Sequence, residues 1–269
     1  MNYPQLLQEI LSKGKVISPR GCEIMELNHV QLEVQNNLWD FPNERPIRKI
    51  LDYWMNELAW YMTGSQDTAF ICEKAKLWEG IKNPDGTLNS NYGRLVFYNK
   101  TTHPTMGAVT LPPFEWAAGS LEADIHSRQA VVTYNSGGYN FPGNKDYICT
   151  QHQAFFIREE RLHCYIALRS SDAIFGLPYN MPWWSFVAQM MLDRLKTRYP
   201  HLTMGEIKVT IYSAHIYAQH YGLVSRMLNK DKPVPYHALV TKTVPLNQSL
   251  DWYLTELPNH LKIIELVVA

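Results

Sequence analysis

The sequence predicts an α/β domain in which helices and strands share a core. Its best apolar face, Ile47, Ile50, Leu51, Trp54, Met55, Leu58, Tyr61 and Met62, repeats at the spacing of a helix with one buried side. Leu162–Leu168 and Ile207, Val209, Ile211 alternate instead, as strands with one covered face do. The 269 residues, 46% of them hydrophobic, suffice for one large domain or two small ones.

Taken in order, Tyr3, Leu6, Leu7, Ile10 and Leu11 mark a first helix, closed by Gly14. Pro19-Arg20-Gly21 is a turn presenting one guanidinium, and residue type alone leaves a solvated arginine open. Val30, Leu32 and Val34 alternate as a strand. The best helix runs from Pro46 to Gly64, and Glu57 falls near the edge of its apolar face. A carboxylate half-buried there holds its proton more tightly, although a boundary glutamate can be purely structural. Leu77-Trp78-Glu79 comes next, then an Asn-Pro-Asp-Gly turn at 83–86, then Leu88-Asn89-Ser90-Asn91-Tyr92-Gly93. An isolated Trp78 reads as a core anchor.

A helix is expected over Phe114–His126 and a strand over Ala130–Tyr134, and a loop at 137–144 leads to Asp146-Tyr147-Ile148-Cys149-Thr150-Gln151. Gln153–Ile157 and Leu162–Leu168 form a hairpin around Glu159-Glu160, with Cys149 and Arg169 near opposite ends of its paired strands. Pro182-Trp183-Trp184 starts a helix to about Lys196, with proline in its first turn. The strand at 207–211 ends in Ser213-Ala214-His215-Ile216-Tyr217, and Tyr221, Val224 and Leu228 mark another helix. The last forty residues are proline-punctuated and weakly patterned.

Lys+Arg and Asp+Glu stand at 25 each, so no broad field recruits nucleic acid or an anionic membrane. No apolar run approaches the ~20 residues of a membrane span, and the N-terminus lacks a signal-peptide pattern. Four cysteines without metal or disulfide spacing fit a reducing cytoplasm. Core packing is expected for Cys22, Cys72 and Cys164, whereas Cys149 opens a strand after a polar loop. His215 and His220 are poorly spaced for metal ligands, and no metal is expected.

The densest chemistry lies in Arg169-Ser170-Ser171-Asp172-Ala173-Ile174-Phe175-Gly176-Leu177-Pro178-Tyr179-Asn180. Arginine suits an oxyanion held by a fork of donors, and asparagine suits a ring edge offering one donor and one acceptor. Together they suggest a small anionic ligand carrying a polar ring. This stretch resembles the thymidylate synthase family, whose members show Arg-Ser-x-Asp-x-x-x-Gly-Leu-Pro-x-Asn. The helix Asn56-Glu57-Leu58-Ala59-Trp60-Tyr61-Met62 is similar to the family's Glu-Leu-x-Trp-Phe-Leu. The likeness is strong over 149–180 and around 57, and extends over about residues 1–230.

The resemblance implies one domain over 1–269, a large mixed sheet flanked by helices, and a homodimer through sheet-on-sheet packing. It implies a pyrimidine nucleoside monophosphate as substrate and 5,10-methylenetetrahydrofolate as cosubstrate. Cys149 would be the nucleophile that adds to C6, since C5 of a pyrimidine needs covalent activation and the thiolate needs a neighbouring cation. Glu57 would organise proton transfers and Tyr92 would sit beside the base. Arg20, Arg169 and Ser170 would hold the phosphate, with Arg128 reaching it from the partner subunit. His215 and Tyr217 would bind the sugar hydroxyl, although a pair straddling a strand end explains them too. Trp78 would line the folate side and Asp172 would hold the pterin. Gln129 replaces a second interface arginine of the family, a loss of ~1.5–3 kcal/mol in phosphate binding unless another cation, for instance Lys145, substitutes.

Asn180 would choose the base. The family's asparagine pairs with uracil, and the related phage deoxycytidylate hydroxymethylases carry aspartate there, so dUMP is favoured over dCMP. Ile148-Cys149-Thr150 replaces the family's Pro-Cys-His. That sequence, Asp146 and Asn89-Ser90-Asn91-Tyr92-Gly93 resemble the hydroxymethylase branch, in which water rather than hydride meets the one-carbon unit on C5. A tail Leu266-Val267-Val268-Ala269 only loosely like the family's lid would favour water. The expected activity is therefore hydroxymethylation of dUMP, in the cytoplasm, or in the host cytoplasm for a phage-encoded chain. Thymidylate synthase comes second and dCMP hydroxymethylation third, and a catalytically inactive nucleotide- or RNA-binding member is a remote fourth.

Overall fold

A computed structural model describes residues 1–34, 38–41, 47–100, 105, 111–229, 234–240 and 244–263. The first elements are α1 (Tyr3–Lys13), β1 (Lys15–Ile17), β2 (Ile24–Val34), β3 (Leu38–Phe41) and α2 (Ile47–Thr63). Two short helices follow, α3 (Ala69–Lys74) and α4 (Leu77–Ile81), then a π-turn over Arg94–Tyr98 and α5 (Pro113–Ala123). The centre holds β4 (Val131–Thr133), β5 (Thr150–Arg158), β6 (Arg161–Leu168), β7 (Ser171–Asp172) and α6 (Leu177–Lys196). The chain continues through β8 (Thr203–Tyr217), α7 (Tyr221–Leu228), β9 (Val234–Val240), α8 (Leu250–His260) and β10 (Leu261–Ile263).

The main sheet runs β1-β2-β8-β6-β5-β4, with β7 alongside β8. β6 and β7 pair with β8 in parallel and the other neighbours are antiparallel. The expected mixed sheet flanked by helices is therefore present. Leu32, Phe155, Ile157, Cys164, Ile166, Val209 and Ile211 are buried on one face, where α1, α5 and α6 pack. The other face carries Phe156, His163, Tyr165, Lys208 and Tyr212, and Tyr165 and Tyr212 remain 36% and 48% exposed.

Local chemistry explains the helix ends. Asn2 accepts from Gln5 N at 2.9 Å while Gln5 accepts from Asn2 N, a reciprocal cap on α1. Gly14 closes α1 because a Cβ there would meet Ile10 O at 2.4 Å. The β5–β6 turn uses Glu159 and Glu160 at φ 51 and 55, a geometry whose twist suits a two-residue hairpin.

Several boundaries differ from the sequence expectation. α6 begins at Leu177, five residues before Pro182. Pro178 occupies its first turn, where a missing N–H is harmless, and Pro182 lies inside. Because α6 is buried on nearly all sides, periodicity does not mark its start. α5 ends at Ala123, where the Asp124 side chain turns to accept from His126 N at 2.9 Å. β4 shortens to Val131–Thr133, and β8 unites the 207–211 strand and the His215 segment in fifteen residues. The weakly patterned C-terminal region contains α8, capped by Ser249 and anchored by buried Tyr253 and Leu257. A small sheet β10-β9-β3 joins it. Cys22 is exposed between the Pro19–Gly21 turn and β2, against the expectation of core packing, while Cys72 and Cys164 are buried. Pro46 and the tail at 266–269 lie outside the described residues.

Candidate active site

The hairpin brings its two far ends together. Arg169 N donates to Cys149 O at 3.0 Å, so the residue before β5 faces the residue after β6. A bulge between Thr150 and His152 breaks the register, and such bulges re-aim nearby side chains. The Arg169 Nη2 lies 3.5 Å from Cys149 Sγ, and its Nε donates to Ile148 O at 3.1 Å. The guanidinium also donates to Tyr147 O and, at 3.2 Å, to Ser170 Oγ. Burial pushes the Cys149 thiol up, and Arg169 is the largest influence pulling it back. Ser170 and Arg20 pull the same way, while Asp146 opposes them.

Asp146 holds this loop against the Asn89-Ser90 turn. Its Oδ2 accepts from Asn89 N and Ser90 N at 2.7 and 2.9 Å, and its Oδ1 from Ser90 Oγ at 2.7 Å. The next residues reach the neighbour of Cys149: buried Tyr92 accepts from Thr150 N at 3.4 Å and from Thr150 Oγ1 at 3.3 Å. Burial, then the neighbouring Cys149, raises the Tyr92 phenol. Gly93 permits the approach, since a Cβ there would stand 1.9 Å from Tyr61 O.

Glu57, on α2, is more buried than its position at a face edge implied, with 5% exposed. Tyr53 donates to its Oε1 at 3.1 Å, and the Trp78 indole donates to Tyr53 at 2.8 Å. Burial pushes the carboxyl up to about 7, opposed by the Tyr53 and Tyr61 hydroxyls. Tyr61 in turn stacks on Tyr92 with centroids 5.6 Å apart, linking Glu57 to the Cys149 side of the site.

On the opposite wall, β7 pairs with β8 so that Asp172 faces His215. His215 is buried, and its ring meets Tyr217 edge-on at 5.3 Å. Burial lowers its pKa, with Asp172 opposing. Exposed Arg20, left-handed at φ 54, bears electrostatically on both Cys149 and Tyr217. Asn180 sits in the first turn of α6, half-buried, and its carboxamide has no hydrogen bond among the described residues.

The chain matches the thymidylate synthase family model over residues 1–256. The chain belongs to the thymidylate synthase family. Curated relatives include three deoxycytidylate 5-hydroxymethyltransferases. That of Enterobacteria phage T6 is 25% identical over 180 residues, 64% of this chain and 70% of the relative. That of phage T2 is 25% identical over 187 residues, covering 66% and 72%. The phage T4 protein is 25% identical over 182 residues, covering 64% and 70%. The chain is thus a one-carbon transferase related to the hydroxymethylase branch.

The family acts on a nucleoside monophosphate with methylenetetrahydrofolate. Asp172 Oδ1 accepts from Ile174 N at 2.8 Å, and its Oδ2 has no hydrogen bond among the described residues, an acceptor compatible with a pterin N–H. Trp78 is 8% exposed and its N–H is committed to Tyr53. Arg128 and Gln129 are exposed beside a cavity of about 710 Å³ lined also by Trp116 and Glu115, apart from the Cys149 cluster. Lys145 is exposed. Among the described residues no helix is long and apolar enough to cross a membrane, and no three His, Cys, Asp or Glu could share a metal ion.

Sequence reading had not assigned roles to Tyr53, Tyr61 or Asp146. The tyrosines stand four residues either side of Glu57, a spacing that shares one helix face. The pairing of Asp146 with Asn89-Ser90 spans 57 residues and leaves no local signal.

Proposed function

We propose that this transferase hydroxymethylates C5 of a pyrimidine nucleoside monophosphate, with dUMP favoured, through a covalent adduct between Cys149 and C6. The observation that carries the reading is a half-buried thiol 3.5 Å from a guanidinium. A cation there stabilises the thiolate and draws a phosphate close to the attacking sulfur.

In this reading Arg169, Ser170 and Arg20 bind the phosphate, and His215 and Tyr217 orient the sugar. The Asn180 carboxamide, without a hydrogen bond among the described residues, presents its oxygen to N3–H of uracil and its amide to O4. Attack of Sγ on C6 makes C5 nucleophilic. Methylenetetrahydrofolate, held by Asp172 and Trp78, would supply a carbon at the oxidation level of formaldehyde. Glu57, close to neutrality, moves protons at the base, and Tyr92 packs beside it. Tetrahydrofolate leaves, C5 loses its proton to give an exocyclic methylene, water adds to that carbon, and Sγ departs from C6 to release the hydroxymethyl nucleotide. The kinship with phage hydroxymethyltransferases and the hydroxyls of Tyr53, Tyr61 and Tyr92 around the site support water over hydride.

The second reading is dCMP as substrate, favoured by those same relatives. A homodimer through the Tyr165–Tyr212 sheet face, with Arg128 reaching the partner's phosphate, completes the proposal. Methylenetetrahydrofolate with each pyrimidine monophosphate, followed by product mass and dihydrofolate absorbance, tests it. A hydroxymethyl mass without dihydrofolate is expected, greatest with dUMP and absent in Cys149→Ala. A methyl mass with dihydrofolate would overturn it.

A further inference from the structure

Glu57 is a buried carboxyl on the helix side of the site, yet the direction of its hydrogen bonding is decided elsewhere. Tyr53 lies one turn earlier on α2 and donates to Glu57 Oε1 at 3.1 Å. The Trp78 indole, from α4, donates to the Tyr53 oxygen at 2.8 Å. An indole N–H can only donate. It therefore occupies the acceptor side of the phenol and turns the phenolic hydrogen toward the carboxylate. The Tyr53 ring is held edge-on by Tyr179 of α6 at 5.0 Å, the residue before Asn180. The chain of bonds has one polarity, from Trp78 through Tyr53 to Glu57.

We propose that Tyr53 is a positioning residue for the one-carbon transfer: by donating permanently to Oε1 it confines the exchangeable proton of Glu57 to Oε2, and Trp78 enforces that direction. The proposal rests on the reading of Glu57 as the proton-handling group. The other groups bearing on this cluster are Tyr61 from α2, Tyr92 from the segment before the π-turn, Tyr179 from α6 and, through Tyr61, Asp146 from the Cys149 loop. No cationic side chain among the described residues shifts Glu57, so the phenols are what favour its ionised form.

Removing a donor to a carboxylate raises its pKa. In the full-length, ligand-free protein, the Glu57 carboxyl infrared band is isolated by difference against Glu57→Gln and followed with pH. Tyr53→Phe should move its midpoint up by about one to two pH units. Trp78→Phe, which frees the phenol to turn, should move it less and in the same direction, and serves as the second route if Tyr53→Phe does not fold. Exchange of the C5 hydrogen of dUMP and dCMP with solvent supplies the catalytic readout. Its pH profile should move in parallel, with kcat reduced and the nucleotide KM unchanged. An unmoved band overturns the proposal whatever the substrate, and a moved band with an unmoved exchange profile overturns the catalytic role. If the wild type exchanges neither nucleotide, the functional reading fails, and the infrared midpoint alone decides the hydrogen-bond claim.

Discussion

Replacing Glu57 by glutamine should make the protein more stable and less active, and pH should control how much. Its carboxyl rises from 4.5 to about 7 on folding, chiefly through burial. The native state therefore binds this proton more tightly than the unfolded chain does. Stability from the group is fully present below about 4.5, declines as pH rises through the folded value, and is flat above about 7. The full difference corresponds to about 3 kcal/mol. Glutamine has nearly the same shape, carries no charge, and still accepts from Tyr53. Urea unfolding of wild type and Glu57→Gln at pH 5 and pH 8 measures the effect. The variant should gain about 3 kcal/mol on the wild type at pH 8 and much less at pH 5, while C5 exchange is lost. Equal stability gaps at the two pH values would refute the reasoning, because a packing effect has no reason to follow this titration.

Asp146→Asn puts an amide where three donors now meet a carboxylate, and chemical unfolding should show a loss of about 2–4 kcal/mol. The same change removes a charge that raises the Cys149 thiol, so the pH midpoint of iodoacetamide alkylation should fall. Gly93→Ala drives a Cβ against the Tyr61 backbone at 1.9 Å and should cost about 3 kcal/mol in unfolding free energy. Asn180→Asp should lower kcat/KM for dUMP by about 5- to 150-fold through one mismatched group and raise that for dCMP, as read by product mass.

Much of the fold was legible because its signals are local. The α2 face and the alternation in β5, β6 and β8 act within a few residues, whereas Pro182, expected in the first turn of α6, lies inside it and Pro178 holds that turn. The start of α6 is hidden from periodicity because its buried surface extends nearly all round. The C-terminal α8 was missed because only Tyr253 and Leu257 are buried in it.

For the site, the residues themselves determined the chemistry on offer: a thiol, a guanidinium, a carboxyl on an apolar helix and an amide before a tryptophan pair. Their string from Arg169 to Asn180 was specific enough to point to the family. Tertiary structure decided which groups meet. Antiparallel pairing closes the twenty-residue separation of Cys149 and Arg169 to 3.5 Å. The β7–β8 register sets Asp172 against His215, and Gly93 lets Tyr92 approach the helix that carries Glu57. Proton affinity was likewise left to the fold, because the rise at Glu57 comes mainly from lost water, and sequence position records composition but not burial.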